Sequence, residues 1–175
     1  LVTDEFAAPP VILRVGDSVI GTLGNFSAST GKAKSKKTFN VCAIVAAAMT
    51  GGTVLNYSAS LPPRKRRILY VDTEQSRFHC KRVLCRILRL AGLPTDAHPP
   101  LLEFLCLRGY ATKERLRKIE EAIYDLDNLG LVVIDGIRDL AHDINSPGEA
   151  TDLITKLMQW TDERRIHIHT VLHLN

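Results

Sequence analysis

No stretch of this sequence is apolar for long enough to cross a bilayer. The longest such run, Val41 to Met49, falls far short of the roughly 20 residues a spanning helix needs. No charged-then-apolar leader pattern opens the sequence. Cysteine is scarce, and Cys42, Cys80, Cys85 and Cys106 have neither metal-ligand spacing nor the density of a disulfide-built secreted fold. A reducing cytoplasm is the expected setting. Disorder is also excluded, because 45% hydrophobic and 24% charged residues are ordinary globular values. A chain of 175 residues is enough for one domain with a real core. There is no internal repeat and no low-complexity tract.

The net charge of +4 permits contact with a polyanion without requiring it. Positive charge concentrates at Lys32 to Lys37 and at Arg64 to Arg67. The first cluster belongs to a candidate phosphate loop, so only the second is free to suggest nucleic acid, and such runs are more often solvated loops. The sequence opens without Met and stops after a strand-like run, so it is expected to be a piece of a longer protein.

Short β-rich runs alternate with helical patterns, which predicts a mainly parallel sheet covered on both faces, a three-layer α/β/α sandwich. Residues 1–17 are expected to form an N-terminal arm or edge element, and residues 18–175 the core. The first core strand is expected over Val19 to Ser29. A helix follows from Lys37 to about Thr50, with Val41, Ile44, Val45 and Ala48 at helical spacing and Gly51-Gly52 ending it. Asn56 to Arg67 reads as a loop. Strand Ile68 to Asp72, helix Arg77 to Ala91, strand Leu101 to Leu107 and helix Lys113 to Asn128 come next, with Gly130 as a left-handed C-cap. Strand Leu131 to Ile134 precedes a helix capped by Ser146, with Pro147 in its first turn and Glu149 closing a capping box. That helix runs to about Arg164, and the last strand is Ile166 to Leu172.

The strongest chemical signal is Gly31-Lys32-Ala33-Lys34-Ser35-Lys36-Lys37-Thr38, followed by Phe39, because it follows a strand and opens a helix. Backbone N–H groups there point at phosphates and the helix dipole favours their charge. Lys37 would reach the β and γ phosphates of ATP and the Thr38 hydroxyl would ligate Mg²⁺. The second glycine of the usual pattern is Lys36 here, and a Cβ at that position limits how the loop turns. The second signal is Leu131-Val-Val-Ile-Asp135, a buried strand delivering a carboxylate to the sheet edge where ligands bind and where it could hold Mg²⁺. The third is Tyr70-Val-Asp72-Thr73-Glu74, whose acids can take a proton from attacking water or, equally, start the next helix. His167 and His169 share one strand face, a spacing that can bind metal but without further ligands reads as structural.

This arrangement resembles the RecA-like P-loop ATPases, including DnaB-type replicative helicases and RepA-type plasmid helicases. The resemblance covers Val19 to Asn175. Gly-Lys-Ala-Lys-Ser-Lys-Lys-Thr-Phe, Tyr-Val-Asp-Thr-Glu-Gln, Val-Ile-Asp-Gly-Ile-Arg-Asp-Leu and Asp-Ile-Asn-Ser-Pro look in addition like ATPases of Bacteroides mobilizable transposons, in which lysine or arginine commonly replaces the second glycine. The resemblance implies strand order 3-2-4-5-1, Glu74 as the group that orients water, and His173 as a sensor of the γ-phosphate. It also implies assembly into a ring or filament, work on DNA, and a further segment after Asn175; Arg138, three residues beyond Asp135, and Arg108, ending its strand, are candidate cross-subunit residues or surface salt-bridge partners. Two alternatives stay open: a nucleotide-dependent regulator without motor activity, and an interaction module in which Lys36 has spoiled the loop.

Overall fold

The computed structural model describes residues 1–32, 36–143 and 145–174. In chain order the elements are β1 (Val11–Val15), β2 (Ser18–Thr22), β3 (Phe26–Lys32), α1 (Lys37–Thr50), β4 (Thr53–Val54), β5 (Tyr57–Ala59), β6 (Arg67–Asp72) and α2 (Arg77–Leu90). They continue with β7 (Leu102–Cys106), α3 (Thr112–Asp125), β8 (Leu129–Asp135), a 3-10 turn (Ile137–Leu140), α4 (Pro147–Arg164) and β9 (His167–Leu174). Five strands form one parallel sheet in the order β3-β9-β8-β6-β7. This is the expected order, with the last strand between the phosphate-loop strand and the strand that ends in Asp135.

Strand alternation sorts the core into two layers. Ile68 and Tyr70 of β6 and Leu131 and Val133 of β8 face α1 and α2. Leu69, Val71, Val132 and Ile134 face the other way, toward Ile119 and Ile123 of α3 and Leu157 and Trp160 of α4. The result is the three-layer α/β/α sandwich of a RecA-like P-loop NTPase.

The structure departs from the sequence reading where short strands escape periodicity. Val19 to Ser29 is not one strand: β2 ends at Thr22, Gly24 takes a positive φ of 83°, and β3 begins at Phe26 in a different sheet. Within residues 1–17, β1 pairs with β2 and β5, and its Ile12 and Leu13 are buried in the main core. The stretch from Asn56 to Arg67 likewise contains β5. Together β2-β1-β5-β4 make a small antiparallel sheet. Its presence explains why every residue of α1 from Val41 to Ala48 is buried, not just a stripe: both sides of the helix are covered.

Two cap assignments also change. Gly130 lies inside β8, and the left-handed residue after α3 is Asn128 at φ 59°. Glycine is required at 130 for another reason: a Cβ there would come within 1.8 Å of the Lys65 carbonyl oxygen. Ser146 is the N-cap of α4, but its side chain makes no cap bond, and Glu149 instead accepts the Asp143 N–H at 3.0 Å. The capping box is therefore not closed.

Candidate functional site

Parity along the strands also places the polar residues. Tyr70 and Asp72 on β6, Asp135 on β8 and His173 on β9 continue the face that looks toward α1, at the strands' C-terminal ends. The first turn of α1 supplies Lys37 and Thr38 to the same edge.

Asp135 is the hub. Its Oδ2 accepts the Tyr70 hydroxyl at 2.9 Å and lies 3.4 Å from the Thr38 hydroxyl, a long separation for such a bond. Its Oδ1 accepts from His173 Nε2 at 3.1 Å. The same Nε2 stands 3.7 Å from Glu74 Oε2, so His173 bridges the two carboxylates that the sequence singles out. Asp135 is 3% exposed, so these partners stand where water would, while the Glu74 side chain is 40% exposed and partly desolvated.

Burial raises the Glu74 pKa above its ordinary value; His173 opposes the rise, and Asp139, Asp135 and Asp72 add to it. A carboxylate tuned upward is a better proton acceptor near neutral pH. Burial also raises Asp72, against the hydrogen bonds from Gln75 and Glu74 that lower it. Tyr70 is held well above the usual phenol range by burial, then by the Asp135 charge.

The acids of the Tyr70 to Glu74 segment divide their duties. Asp72 Oδ1 accepts the backbone N–H groups of Glu74 and Gln75 at 3.0 and 2.7 Å, and Oδ2 accepts the Gln75 side-chain amide at 2.8 Å. α2 starts at Arg77, so Glu74 lies outside its first turn. Asp72 therefore builds the turn, and Glu74 projects from it. Thr73 ties that turn to β8: its hydroxyl donates within hydrogen-bond distance of the Gly136 carbonyl (2.8 Å) and Asp139 Oδ2 (3.0 Å). Gly136 sits at φ 95°, and a Cβ on it would come within 2.2 Å of Thr73 Oγ1.

At the phosphate loop, the Lys37 ammonium donates to the carbonyls of Gly31 and, at 2.7 Å, of Lys32. Lys36 is the N-cap of α1 in a left-handed conformation, φ 58° and ψ 21°, which is the backbone shape that glycine ordinarily supplies at this position. Phe39 is partly exposed, with the Arg86 guanidinium 6.0 Å from its ring centroid. Ala33, Lys34, Ser35 and Asn175 lie outside the described residues.

The oxygens of Thr38 and Asp135 face each other and are hard donors of the kind Mg²⁺ takes alongside water and phosphate. Among the described residues no three His, Cys, Asp or Glu side chains form a metal cage. His167 and His169, both buried, are instead absorbed in a chain with the half-buried Ser27 and Ser29 and the Thr22 carbonyl. Arg108 and Arg138 make no ion pair among the described residues. In the basic run, Lys65 donates to the Arg164 carbonyl at 2.6 Å, and burial lowers its pKa. The run sits where β6 begins, at the opposite edge of the sheet from Asp135.

Sequence reasoning gave Tyr70 no role. The signal was present: a hydroxyl inside an otherwise apolar buried strand needs a partner, and Asp135 is that partner.

Among the described residues no helix is long and apolar enough to cross a membrane. A comparison with curated proteins returned no match. A family model described as "AAA domain" matches residues 4–175, nearly the whole chain. Taken with the parallel sheet and the loop that opens α1, this match makes the chain an ATPase domain, a member of the AAA domain family of P-loop ATPases.

Proposed function

We propose that this domain binds ATP with Mg²⁺ at Gly31 to Phe39, hydrolyses it, and uses the cycle on DNA within a replication or mobile-element protein in the cytoplasm. The observation that carries the reading is the meeting of Thr38, Asp135, Glu74 and His173 at one sheet edge, directly beside Lys37. The reaction is in-line attack of water on the γ-phosphate. Lys37 neutralises charge on the phosphates, and the amides of Gly31 to Thr38 hold them at the positive end of α1. Thr38 and Asp135 would hold Mg²⁺, which when bound draws off charge from the phosphate oxygens.

Glu74 orients the water and takes its proton, a role suited to a carboxylate whose pKa burial has raised. His173 touches both Asp135 and Glu74, so it can register whether the γ-phosphate is present. Tyr70 fixes the Asp135 carboxylate from behind. Assembly as a ring or filament would let a neighbouring copy add an arginine to the site.

The test is phosphate release by the purified chain with ATP, with and without Mg²⁺ and with and without single-stranded DNA. Mg²⁺-dependent release that DNA accelerates is expected. Release that ignores DNA would leave an ATPase regulator without a DNA task, and no ATP binding at all would defeat the proposal.

A further inference from the structure

Helix α2 is electrostatically odd. It carries Arg77, Lys81, Arg82, Arg86 and Arg89 and not one carboxylate. No acidic residue occurs from Gln75 to Thr95. Arg77–Lys81 and Arg82–Arg86 are like charges one turn apart, a spacing that destabilises a helix. Arg77 opens the helix, where the macrodipole is already positive and an acid would help. None of the five makes an ion pair among the described residues. An ordinary solvated face mixes both signs. The charges here reinforce one another, with Arg86 turned toward the Phe39 ring.

The shape around the helix matches that charge. Cys80, Val83, Ile87 and Leu88 anchor α2 on the core, leaving an open groove on each side. One, of about 550 Å³, is lined by Phe78, Lys81, Arg82, Arg86 and Arg89. The other, of about 510 Å³, is lined by Arg77, Lys81, His98, Tyr110 and Lys118. No carboxylate lines either one. Phe78 is 67% exposed, a large apolar ring left in water beside the cations. Lys118 lies 4.5 Å over the Tyr110 ring. Cations beside an exposed ring, here Phe78, with a second, half-buried ring at Tyr110, are what unpaired bases and their phosphates require.

We propose that α2 and its flanking grooves bind single-stranded nucleic acid, with Lys81, Arg82 and Arg89 on the phosphates and Phe78 stacked on a base. The inference rests on the reading that this ATPase works on DNA and places the contact on α2, not on Arg64 to Arg67. It also offers a route to the chemistry: α2 begins at Arg77, immediately after the turn that Asp72 clamps and Glu74 projects from. A strand seated on α2 therefore bears on the residue that positions the attacking water.

The test is the salt dependence of oligothymidylate binding by the full chain, by Lys81→Gln/Arg82→Gln/Arg89→Gln, by Phe78→Ala and by Arg64→Gln/Arg66→Gln, with ATP affinity measured on each. Losing three phosphate contacts should shrink the slope of log affinity against log salt by roughly 2 and weaken binding about 100-fold at 0.1 M salt. Phe78→Ala should weaken it roughly 5- to 150-fold with the slope unchanged. Arg64→Gln/Arg66→Gln should bind like the parent, and all variants should keep the parent's ATP affinity. If the parent binds and the triple variant binds with the same slope, α2 is not the contact, although the DNA reading survives. If the triple variant loses ATP affinity while keeping oligothymidylate, α2 serves the nucleotide and the proposal falls. A parent that binds no oligothymidylate at all defeats the DNA reading and this inference together.

Discussion

His167 and His169 at the start of β9 and His173 near its end share one face of the strand, but their neighbours differ in kind. At the start, the Thr22 carbonyl can only accept, so His167 Nδ1 carries hydrogen and Nε2 accepts from the Ser27 hydroxyl. Ser27, its proton spent, accepts from His169 Nδ1, and His169 Nε2 accepts from Ser29. No buried polar atom in this neutral chain lacks a partner, and both imidazoles are buried while Ser27 and Ser29 are half-buried on the edge strand β3. At the other end His173 meets two carboxylates and solvent. The same residue on the same face is structural where hydroxyls surround it and, in the function proposed above, chemical where acids do. The difference lies in the facing strands, β3 for the first pair and β8 for the last, so it is not legible from β9 alone.

That contrast has measurable consequences. Lys37→Ala strikes the chemical end hardest and should abolish nucleotide binding, as read by isothermal titration, while the thermal midpoint stays close to the parent's. A variant that binds ATP normally would move the nucleotide away from this edge.

Acid should strike the structural end. Burial holds His169 down to about 4 from an ordinary 6.5, and lowers His167 as well. The unfolded chain thus binds protons that the folded chain refuses. Stability is full above about pH 6.5 and falls as pH drops toward 4, by on the order of 3 kcal/mol for His169. Denaturant unfolding at pH 7, 5.5 and 4.5 reads this directly. Replacing His169 and Ser29 together by apolar residues, which leaves Ser27 to serve His167, should reduce the acid limb to the share of His167, and an unchanged limb would place the acid sensitivity elsewhere.

Tyr70→Phe tests the support beneath the hub. Removing one hydroxyl behind Asp135 should raise the Mg²⁺ concentration needed for half-maximal turnover by roughly tenfold, as outer-shell partners of metal ligands typically do. Identical Mg²⁺ titrations would make Tyr70 a packing residue stacked on Phe104 and no more. The smallest effect belongs to Lys36→Gly. Relieving a left-handed lysine should stabilise the protein by up to about 1 kcal/mol, or roughly 2–4 °C in Tm, with ATP affinity kept. A large fall in affinity would make the Lys36 charge a ligand in its own right.

Much of this architecture is legible in the sequence, because long periodic helices and buried strands announce themselves. α1 begins at Lys37 and ends at Thr50 as its apolar run and Gly51 foretell, and the strands ending in Asp72 and Asp135 are evident from unbroken β-branched and aliphatic residues. The small sheet is not legible, since β4 and β5 are too short to show alternation and β1 follows two prolines. Gly130 misleads because glycine serves close approach as readily as a left-handed cap, and Asn128 took the cap. The α2 cations pass unnoticed for a different reason: a run such as Arg64 to Arg67 is contiguous, whereas α2 spreads its charges at helical spacing among buried apolar residues.

The proposed role of Glu74, which projects from the turn that Asp72 builds ahead of α2, is to prepare water for attack. It is tested most directly by measuring turnover and nucleotide affinity on the same preparation of Glu74→Gln. Glutamine keeps the shape and loses the basicity, so ATP affinity should match the parent's while turnover falls roughly a hundred- to ten-thousand-fold. Near-normal turnover in a variant that still binds ATP would contradict the account and send the search for the base to Asp72 or Asp135.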